Sequence, residues 1–286
     1  MIAYRIQNDI ELVRELSGLT IQEIADLTGV SRMTISRWMC GQEHISYEKL
    51  DAFYQMAYKY GIRLNRIKEQ FYMEEHVSKT AKVLFHGSKK GIEGVIHLSV
   101  SRESNDFGQG FYCGENLSQS AMFIAGYPKS VLYMLAFDRS GLKSKEYAID
   151  QDWILAIAYF RGKLSEYMSS RTIIKLADSL KGIDYIIAPI ADNRMFEIID
   201  SFINGEITDV HCQHCLSATN LGNQYVFLSQ RAAERIDILE PCFLCPDEKK
   251  YYLNEGQEYI HMNADKVKIA RKKYRGKGKY IEEILL

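Results

Sequence analysis

The chain has 286 residues, of which 36 are Lys or Arg and 37 are Asp or Glu, so its formal net charge is −1. This balance excludes a protein that attracts nucleic acid or anionic membranes over its whole surface. Hydrophobic residues make up 47% of the sequence and charged residues 26%, proportions that are typical of a folded protein and exclude extensive disorder.

The sequence also predicts where the protein resides. No apolar run approaches the roughly 18 residues that a membrane helix needs, so no membrane partner is expected. The segment 1–9 is mixed polar and lacks the apolar core of a signal peptide. Six Cys without an export signal fit a reducing compartment. We therefore expect a cytoplasmic protein without disulfides.

The first seventy residues are predicted to form short helices. Thr20 followed by Glu23 is a capping box, in which each side chain binds a backbone N–H of the other residue. Gly29 ends that helix, and Ser31 caps the next one, predicted over 32–39. Two short helices joined by such a tight turn form a helix-turn-helix.

The stretch LTIQEIADLTGVSRMTISRWMCGQ resembles the Cro/repressor-type helix-turn-helix family, over residues 8–72. In that family the second helix enters the major groove of DNA. The resemblance implies that DNA is bound through residues 20–40, with these side chains directed at bases or phosphates: Arg32, Met33, Thr34, Ser36 and Arg37. Residues 1–75 contain nine basic and eleven acidic side chains, which leaves docking to a protein as the alternative.

The rest of the chain mixes strands and helices without a regular alternation, which favours an α+β domain. Strands are predicted at 82–88, 130–137, 184–191, 224–229 and 236–244, with a short strand after the glycine loop at 105–113. Pro189 predicts either that its strand is an edge strand or that Pro189 lies at the end of the strand. Helices are predicted at 116–124, 151–164, 171–181, 194–202 and 230–235.

Four motifs in this part occur in a characteristic order: HGS at 86–88, DFGQGFY at 106–112, PIADNR at 189–194 and NQYVF at 223–227. This order resembles the ADP-ribosyltransferase superfamily in its histidine–tyrosine–glutamate branch, over about residues 82–240. It resembles more narrowly a bacterial family of domains without assigned function that is grouped with those enzymes. The resemblance implies an α+β domain with a split antiparallel or mixed sheet.

The resemblance also implies roles in binding NAD. His86 would bind the adenosine-side ribose, the backbone of Gly87 would pair with the nicotinamide amide, and Ser88 would assist. Tyr112 would stack on the nicotinamide ring, and Phe111 and Tyr225 would pack behind it. The implied catalytic residues are His86, Tyr112 and Gln224, and the implied cofactor-binding residues are His86, Gly87, Ser88, Gly110, Phe111, Tyr112, Tyr225 and Asp192.

Gln224 departs from the superfamily, which usually has Glu at the third catalytic position. A Gln carbonyl can accept a hydrogen bond from the ribose 2′-OH, but it offers a dipole where Glu offers a charge. Three interpretations stay open: another carboxylate assists, for which Asp106 and Asp192 are candidates; catalysis is slow; or the domain only binds NAD.

The predicted organisation is a helix-turn-helix domain at 1–75, a linker at 76–81, an ADP-ribosyltransferase-like domain at 82–245 and a basic extension at 246–286. The predicted function is mono-ADP-ribosylation of a macromolecule with NAD as the substrate, in the manner of a bacterial toxin, toxin–antitoxin component or phage-defence effector. The alternatives are an NAD glycohydrolase and a transcriptional regulator that senses NAD or ADP-ribose without turnover. An antitoxin and a second copy of the chain are further candidate partners.

Two segments allow competing interpretations. Cys212, Cys215, Cys242 and Cys245 form two CxxC pairs, but 26 residues separate the pairs, more than the roughly 15–20 of common zinc ribbons. We therefore predict no metal and buried thiols instead. The segment 266–279 carries eight basic residues and no acidic one. It is interpreted either as a solvated, frayed end or as an electrostatic contact for nucleic acid or an acidic partner, which we favour.

Overall fold

In the computed structural model of the protein, residues 4–41, 45–76, 80–191, 193–218 and 221–286 are described. The chain divides into two compact units. The first unit consists of Met1–Val95, Asn116–Asp138 and Ile236–Gly256. The second unit consists of Ile96–Glu115, Arg139–Arg235 and Gln257–Leu286.

Helices and strands are numbered separately in chain order. The helices are α1 (Ile6–Ser17), α2 (Ile21–Thr28), α3 (Arg32–Met39), α4 (Tyr47–Lys59), α5 (Leu64–His76), α6 (Leu117–Ile124), α7 (Gln151–Phe160), α8 (Arg171–Ser179), α9 (Asn193–Ile203), α10 (Asp209–Ser217), α11 (Gln230–Ala233), α12 (Pro246–Tyr274) and α13 (Ile281–Leu285). The strands are β1 (Ala81–Ser88), β2 (Phe111–Gly114), β3 (Val131–Asp138), β4 (Ser144–Glu146), β5 (Tyr185–Pro189), β6 (Asn223–Phe227) and β7 (Ile236–Cys242). Short 3₁₀ turns lie at Leu98–Val100 and Ser165–Tyr167.

Helices α2 and α3 form the predicted helix-turn-helix. Thr20 and Glu23 make the reciprocal capping box at the start of α2. Gly29 has φ +68°, a left-handed conformation that glycine adopts without steric cost, and it ends the helix. The apolar side of α3 is buried at Ile35 and Trp38. The prediction of the helix-turn-helix is confirmed.

The strands of the first unit form an antiparallel set in which β3 lies between β1 and β7. Successive side chains of a strand point to opposite faces. On one face, Val83 and Phe85 of β1 pack with Leu117, Ala121 and Ile124 of α6 in a buried cluster. The polar residues of the HGS motif therefore lie at the end of a strand whose middle is fixed by an apolar core.

A buried ion cluster within the first unit joins the helix-turn-helix region to β7. The Lys68 ammonium on α5 lies 2.5 Å from Oδ1 of Asp9 on α1 and 2.6 Å from Oε1 of Glu240 on β7. The Tyr54 hydroxyl donates to Asp9, and the Tyr72 hydroxyl donates to Glu240. We call these five residues the Lys68 cluster.

The predicted domain boundaries at residues 75 and 82 were placed from the sequence motifs, and they stay a prediction.

The second unit contains a four-stranded set in the order β4-β5-β6-β2. Strands β4 and β5 are parallel, whereas β5–β6 and β6–β2 are antiparallel. Strand β5 is therefore not an edge strand of this set. Pro189 is its last residue, where a missing N–H does least harm to the ladder, so the strand-end alternative is confirmed.

The part of the C-terminal extension from Gln257 to Leu286 is a folded part of the second unit. Val267 and Ala270 of α12, and Ile281 and Leu285 of α13, are buried in its core. The backbone N–H of Lys279 donates to Oδ1 of Asp209 over 2.7 Å. The alternative of a frayed end is wrong, because the apolar side of this segment packs into the core. The side chains of its eight basic residues are exposed.

A helical N-terminal region followed by a region of mixed helices and strands is confirmed. The arrangement specific to ADP-ribosyltransferases stays a prediction. Within the described residues, no helix has both the length and the apolar composition that a bilayer-spanning segment requires.

Candidate functional site

Tyr112 and Gln224 lie on the same face of two paired strands in the second unit. Tyr112 of β2 is opposite Val226 of β6, and Gly114 is opposite Gln224. Directly opposed residues of an antiparallel pair point to the same side, and residues two apart on a strand share a face. The folded chain therefore brings two of the three predicted catalytic residues to neighbouring positions.

Asp106, from the glycine loop before β2, contacts Gln224 directly. The Nε2 atom of Gln224 donates to Oδ2 of Asp106 over 3.2 Å and to the carbonyl oxygen of Pro189 over 3.3 Å. The Gln224 residue is buried, and the Asp106 side chain is 14% exposed. Burial raises the pKa of Asp106, and its hydrogen bond from Gln224 and the positive charge of Arg161 oppose that rise.

These contacts determine which end of the Gln224 amide faces Asp106 and Pro189. An ionised carboxylate and a peptide carbonyl can only accept hydrogen bonds, so the NH₂ group must point towards both of them. The carbonyl oxygen Oε1 is thereby turned away from Asp106 and Pro189. Oε1 is consequently the atom through which the Gln224 side chain can accept a hydrogen bond.

Arg161 completes this cluster, and sequence reasoning missed it. Its Nη1 atom lies 3.4 Å from Oδ1 of Asp106, and its guanidinium carbon lies 3.7 Å from the centroid of the Phe196 ring. Arg161 directly follows α7 as its C-terminal cap residue. The only sequence signal was its position at the end of an apolar helix pattern, which does not identify a partner 55 residues earlier in the chain. We call Asp106, Arg161 and Gln224 the Asp106 cluster.

The Tyr112 hydroxyl holds the glycine loop in place. It donates to the carbonyl oxygen of Gly108 over 2.7 Å and accepts from the backbone N–H of Phe107 over 3.1 Å. Burial raises the pKa of Tyr112 well above its usual value, so the phenol stays protonated. Gly108 has φ +73°, a conformation that the loop needs for its turn and that few other residues adopt.

Gly110 permits the close approach of the loop to β6. A Cβ atom at this position would lie 2.6 Å from the carbonyl oxygen of Phe227, closer than such atoms can approach. The need for glycine here is explained by strand packing. A contact with cofactor at Gly110 stays a prediction.

Phe111 and Tyr225 lie on the opposite face of the strands from Tyr112 and Gln224, because each is an adjacent residue on its strand. The Phe111 ring centroid is 6.2 Å from that of Phe227, and the Tyr225 ring stacks on Tyr185 at 6.3 Å. Both are buried. The structure therefore does not bring these two rings to the face that carries Tyr112, and they support the strands from behind.

The HGS motif ends β1 in the first unit. The His86 ring centroid lies 6.4 Å from that of Tyr133 on the neighbouring strand. A Cβ atom at Gly87 would lie 2.6 Å from the carbonyl oxygen of Ser120 on α6, so helix packing alone already requires glycine. The Ser88 hydroxyl closes a turn by accepting from the N–H of Gly91 and donating to its carbonyl oxygen, both over 3.0 Å.

Asp192, the remaining predicted cofactor-binding residue, lies outside the described residues. Its neighbour Arg194 donates from Nη2 to the carbonyl oxygen of Ile260 over 2.6 Å. Arg194 is therefore engaged with α12 of the same unit.

The predicted DNA-contacting residues lie on α3. Arg32, Met33 and Arg37 are exposed, and Ser36 is half-buried. Thr34 is half-buried as well, and its hydroxyl lies 2.9 Å from that of the capping residue Ser31. The outward side of α3 thus presents two cations and an exposed thioether, while Thr34 takes part in capping the helix.

The two cysteine pairs are buried and belong to different units. Cys212 and Cys215 lie on α10, and burial raises the pKa of both thiols. In the part of the chain that the structure describes, no three His, Cys, Asp or Glu residues are grouped so that they could hold a metal ion.

Comparison with known families gives two matches. Residues 10–53 match the family described as "Helix-turn-helix". Residues 82–238 match DUF3990, described as "Protein of unknown function". No curated protein and no solved structure matches the chain significantly. A helix-turn-helix domain, of the kind that binds DNA, thus precedes the longer match. Because that longer match covers more than half of the 286 residues, the chain belongs to the DUF3990 family.

Proposed function

We propose that the DUF3990 part of the chain is an NAD-dependent ADP-ribosyltransferase that modifies a macromolecule. The observation that carries this proposal is the placement of Gln224 beside Tyr112, with the Gln224 amide nitrogen held by Asp106 and Pro189. A carbonyl oxygen arranged as an acceptor suits a ribose 2′-OH, and an aromatic face suits the pyridinium ring of NAD. The order of the four motifs supports the same assignment.

The proposed reaction replaces one bond at the ribose C1′ atom. The bond from C1′ to the nicotinamide nitrogen breaks, and its electron pair leaves with nicotinamide, which becomes neutral. The ribose passes through an oxocarbenium-like state, as in glycoside chemistry. A nucleophilic oxygen or nitrogen of the acceptor then forms the new bond to C1′ and releases its proton to solvent. Groups that carry partial negative charge near the ribose stabilise this state.

In this proposal the helix-turn-helix domain has a regulator-like role. It binds DNA through the outward side of α3 and brings the transferase to its target or controls its own expression. NAD is the only small molecule required. The role of a toxin or phage-defence effector, and the identity of an antitoxin, belong to the same proposal and depend on the acceptor.

Incubation of the full chain with NAD labelled in the adenylate moiety tests the reaction. Label that becomes bound to a protein or nucleic acid supports transfer. Free labelled ADP-ribose supports the glycohydrolase instead. Binding of NAD without release of nicotinamide supports the sensor, and absence of both binding and release refutes the proposal.

Site variants link the activity to the predicted residues. His86→Ala and Tyr112→Ala are expected to abolish nicotinamide release, whereas Tyr60→Ala, which removes an exposed ring on the first unit, serves as the control. Tyr112→Phe keeps the ring but removes the hydroxyl that holds the loop. Full activity in both His86→Ala and Tyr112→Ala would refute the assignment of the site to these residues.

A further inference from the structure

We propose that Asp106 is a positioning residue that supplies, through the Gln224 amide, the negative charge that an ADP-ribosyltransferase glutamate would carry itself. This inference rests on the proposed function. It explains how a domain with Gln at this position can still stabilise a positively charged ribose, and it assigns the task to a residue of the glycine loop.

The contact geometry supports such a relay. Oδ2 of Asp106 accepts from Nε2 of Gln224 over 3.2 Å, and the same amide presents Oε1 on its other side. An amide is polarised when its N–H binds an anion, because electron density moves towards its carbonyl oxygen, and chains of hydrogen bonds strengthen one another in this way. The Gln224 carbonyl therefore carries more negative charge beside Asp106 than it would beside a neutral group.

Burial makes the relay stronger. The Asp106 side chain is 14% exposed and Gln224 is buried, so little water screens the carboxylate from the amide. A carboxylate in such surroundings needs a compensating charge to stay ionised. Arg161 provides it at 3.4 Å from Oδ1, the oxygen that does not contact Gln224. The two oxygens of Asp106 thus have separate partners, a cation on one side and the amide on the other.

The arrangement predicts an unusual outcome for Gln224→Glu. In the wild-type background the new carboxylate would face Asp106 at about the present 3.2 Å. Two carboxylates that close share one proton at neutral pH, so the substitution adds no net charge to the site. In the background of Asp106→Asn, the same substitution restores the missing charge.

The test measures nicotinamide release at saturating NAD and at several NAD concentrations for wild type, Asp106→Asn, Gln224→Glu and the double variant. Asp106→Asn keeps an oxygen that can accept from Gln224 but removes the charge, and it should lower kcat about 100-fold with little change in KM. Gln224→Glu alone should not raise kcat at neutral pH. The double variant should recover at least tenfold over Asp106→Asn. Asp200→Asn, which removes an exposed carboxylate from the same unit, is the matched control.

The outcomes separate this inference from the proposed function. Wild-type protein that neither binds NAD nor releases nicotinamide refutes the function itself. If wild type is active, an unchanged kcat in Asp106→Asn overturns the inference, as does a double variant no faster than Asp106→Asn. Should Asp106→Asn unfold, Gln224→Glu alone still decides, because an increase in kcat there would show that no charge was being supplied.

Discussion

Lys68 places an ammonium group between two carboxylates in the interior of the first unit. Burial lowers its pKa, but the carboxylate of Asp9, together with Glu240, more than offsets this effect, so the pKa lies above its usual value and Lys68 stays charged. An ion pair of this kind need not stabilise the fold more than apolar residues would. The two carboxylates nevertheless depend on Lys68, because removing its ammonium group leaves both of them buried without a cation.

We predict that Lys68→Met lowers the free energy of unfolding by about 3–5 kcal/mol, because Asp9 and Glu240 then face each other without a cation. Lys163→Met is the control. Lys163 forms a 3.2 Å ion pair with Asp200 in which both side chains are over 40% exposed, and its loss should cost about 1 kcal/mol or less. Urea unfolding followed by circular dichroism measures both.

The same cluster offers a rescue. The triple variant Asp9→Asn, Lys68→Met, Glu240→Gln removes all three charges and should recover most of the stability lost in Lys68→Met. A triple variant no more stable than Lys68→Met would contradict the argument that unpaired charge is the cause.

Arg161 allows a prediction on pH dependence. Burial raises the pKa of Asp106, and Arg161 opposes that rise. Arg161→Gln removes the opposing charge, so the pKa of Asp106 rises further and a higher pH is needed to ionise it. If ionised Asp106 is required for nicotinamide release, the acidic limb of the kcat profile moves to higher pH in Arg161→Gln. Arg161→Lys keeps the charge and should shift the limb less; an identical limb in all three proteins would exclude Asp106 as the ionising group.

At the scale of elements, the first turn of α12 carries a buried acid. Nδ2 of Asn65 lies 3.1 and 3.0 Å from the two carboxylate oxygens of Glu248. Burial raises the pKa of Glu248 from its usual 4.5 to about 7, although the hydrogen bond from Asn65 opposes the rise. Between pH 4.5 and 7 the folded protein therefore holds a proton that the unfolded chain has lost.

This difference sets the sign of a stability change. Where the folded state binds more protons, the free energy of unfolding falls as pH rises. We predict that the ionisation of Glu248 lowers the free energy of unfolding by at most about 3 kcal/mol between pH 4.5 and 7. The variant Glu248→Gln should remove this decline. Unfolding measured across that range checks the prediction, with Glu258→Gln on the exposed side of α12 as the control. A decline of the same size in Glu248→Gln would show that other groups cause it.

Local signals predicted most elements well. The capping box at Thr20 and the glycine at position 29 define α2 and its turn by interactions within a few residues, so sequence alone identifies them. The bounds of α5 were not predicted, because its buried residues include Asn65 and Lys68, whose interior contacts are polar or ionic. Strand β4 was missed because its three residues, Ser144–Glu146, are polar. It is an edge strand that pairs with β5.

The candidate site was predictable only in part. The motif order pointed to Tyr112 and Gln224, and strand pairing brings them to one face. The contact of Arg161 with Asp106 joins residues 55 positions apart, and no periodicity encodes such a pair. The need for glycine at Gly87 and Gly110 could not be predicted either, because the atoms that exclude a side chain there belong to distant segments of the chain.

At the scale of the whole molecule, charge is unevenly distributed. Residues 1–75 carry a net charge of −2, from nine basic and eleven acidic side chains, whereas 266–279 carries +8. The helix-turn-helix region therefore has few cations with which to neutralise phosphates, and Arg32 and Arg37 on α3 are prominent among them. The proposed DNA binding through this region would therefore depend on a small number of phosphate contacts.

We predict that the double variant Arg32→Ala, Arg37→Ala weakens duplex DNA binding and lowers the slope of log K against log salt by about 2. Lys59→Ala, an exposed cation at the end of α4, is the control and should leave the slope nearly unchanged. Fluorescence anisotropy between about 50 and 200 mM salt measures the slope. If the salt dependence of binding is instead lost in the double variant Lys272→Gln, Lys273→Gln, the exposed basic segment of α12 is the DNA-binding surface.

The Lys68 cluster has a consequence for how this chain can be rearranged. Its charged members lie at positions 9, 68 and 240, so the helices at the front share one interior with β7, the strand in which the family match ends. A chimera that takes residues 1–75 from another helix-turn-helix protein would replace both Asp9 and Lys68, and it would bury the Glu240 carboxylate without its ammonium partner. Such grafts are expected to lose stability unless the donor brings a cation to that place or Glu240 is exchanged for a neutral residue, so the front helices and β7 have to be matched to each other.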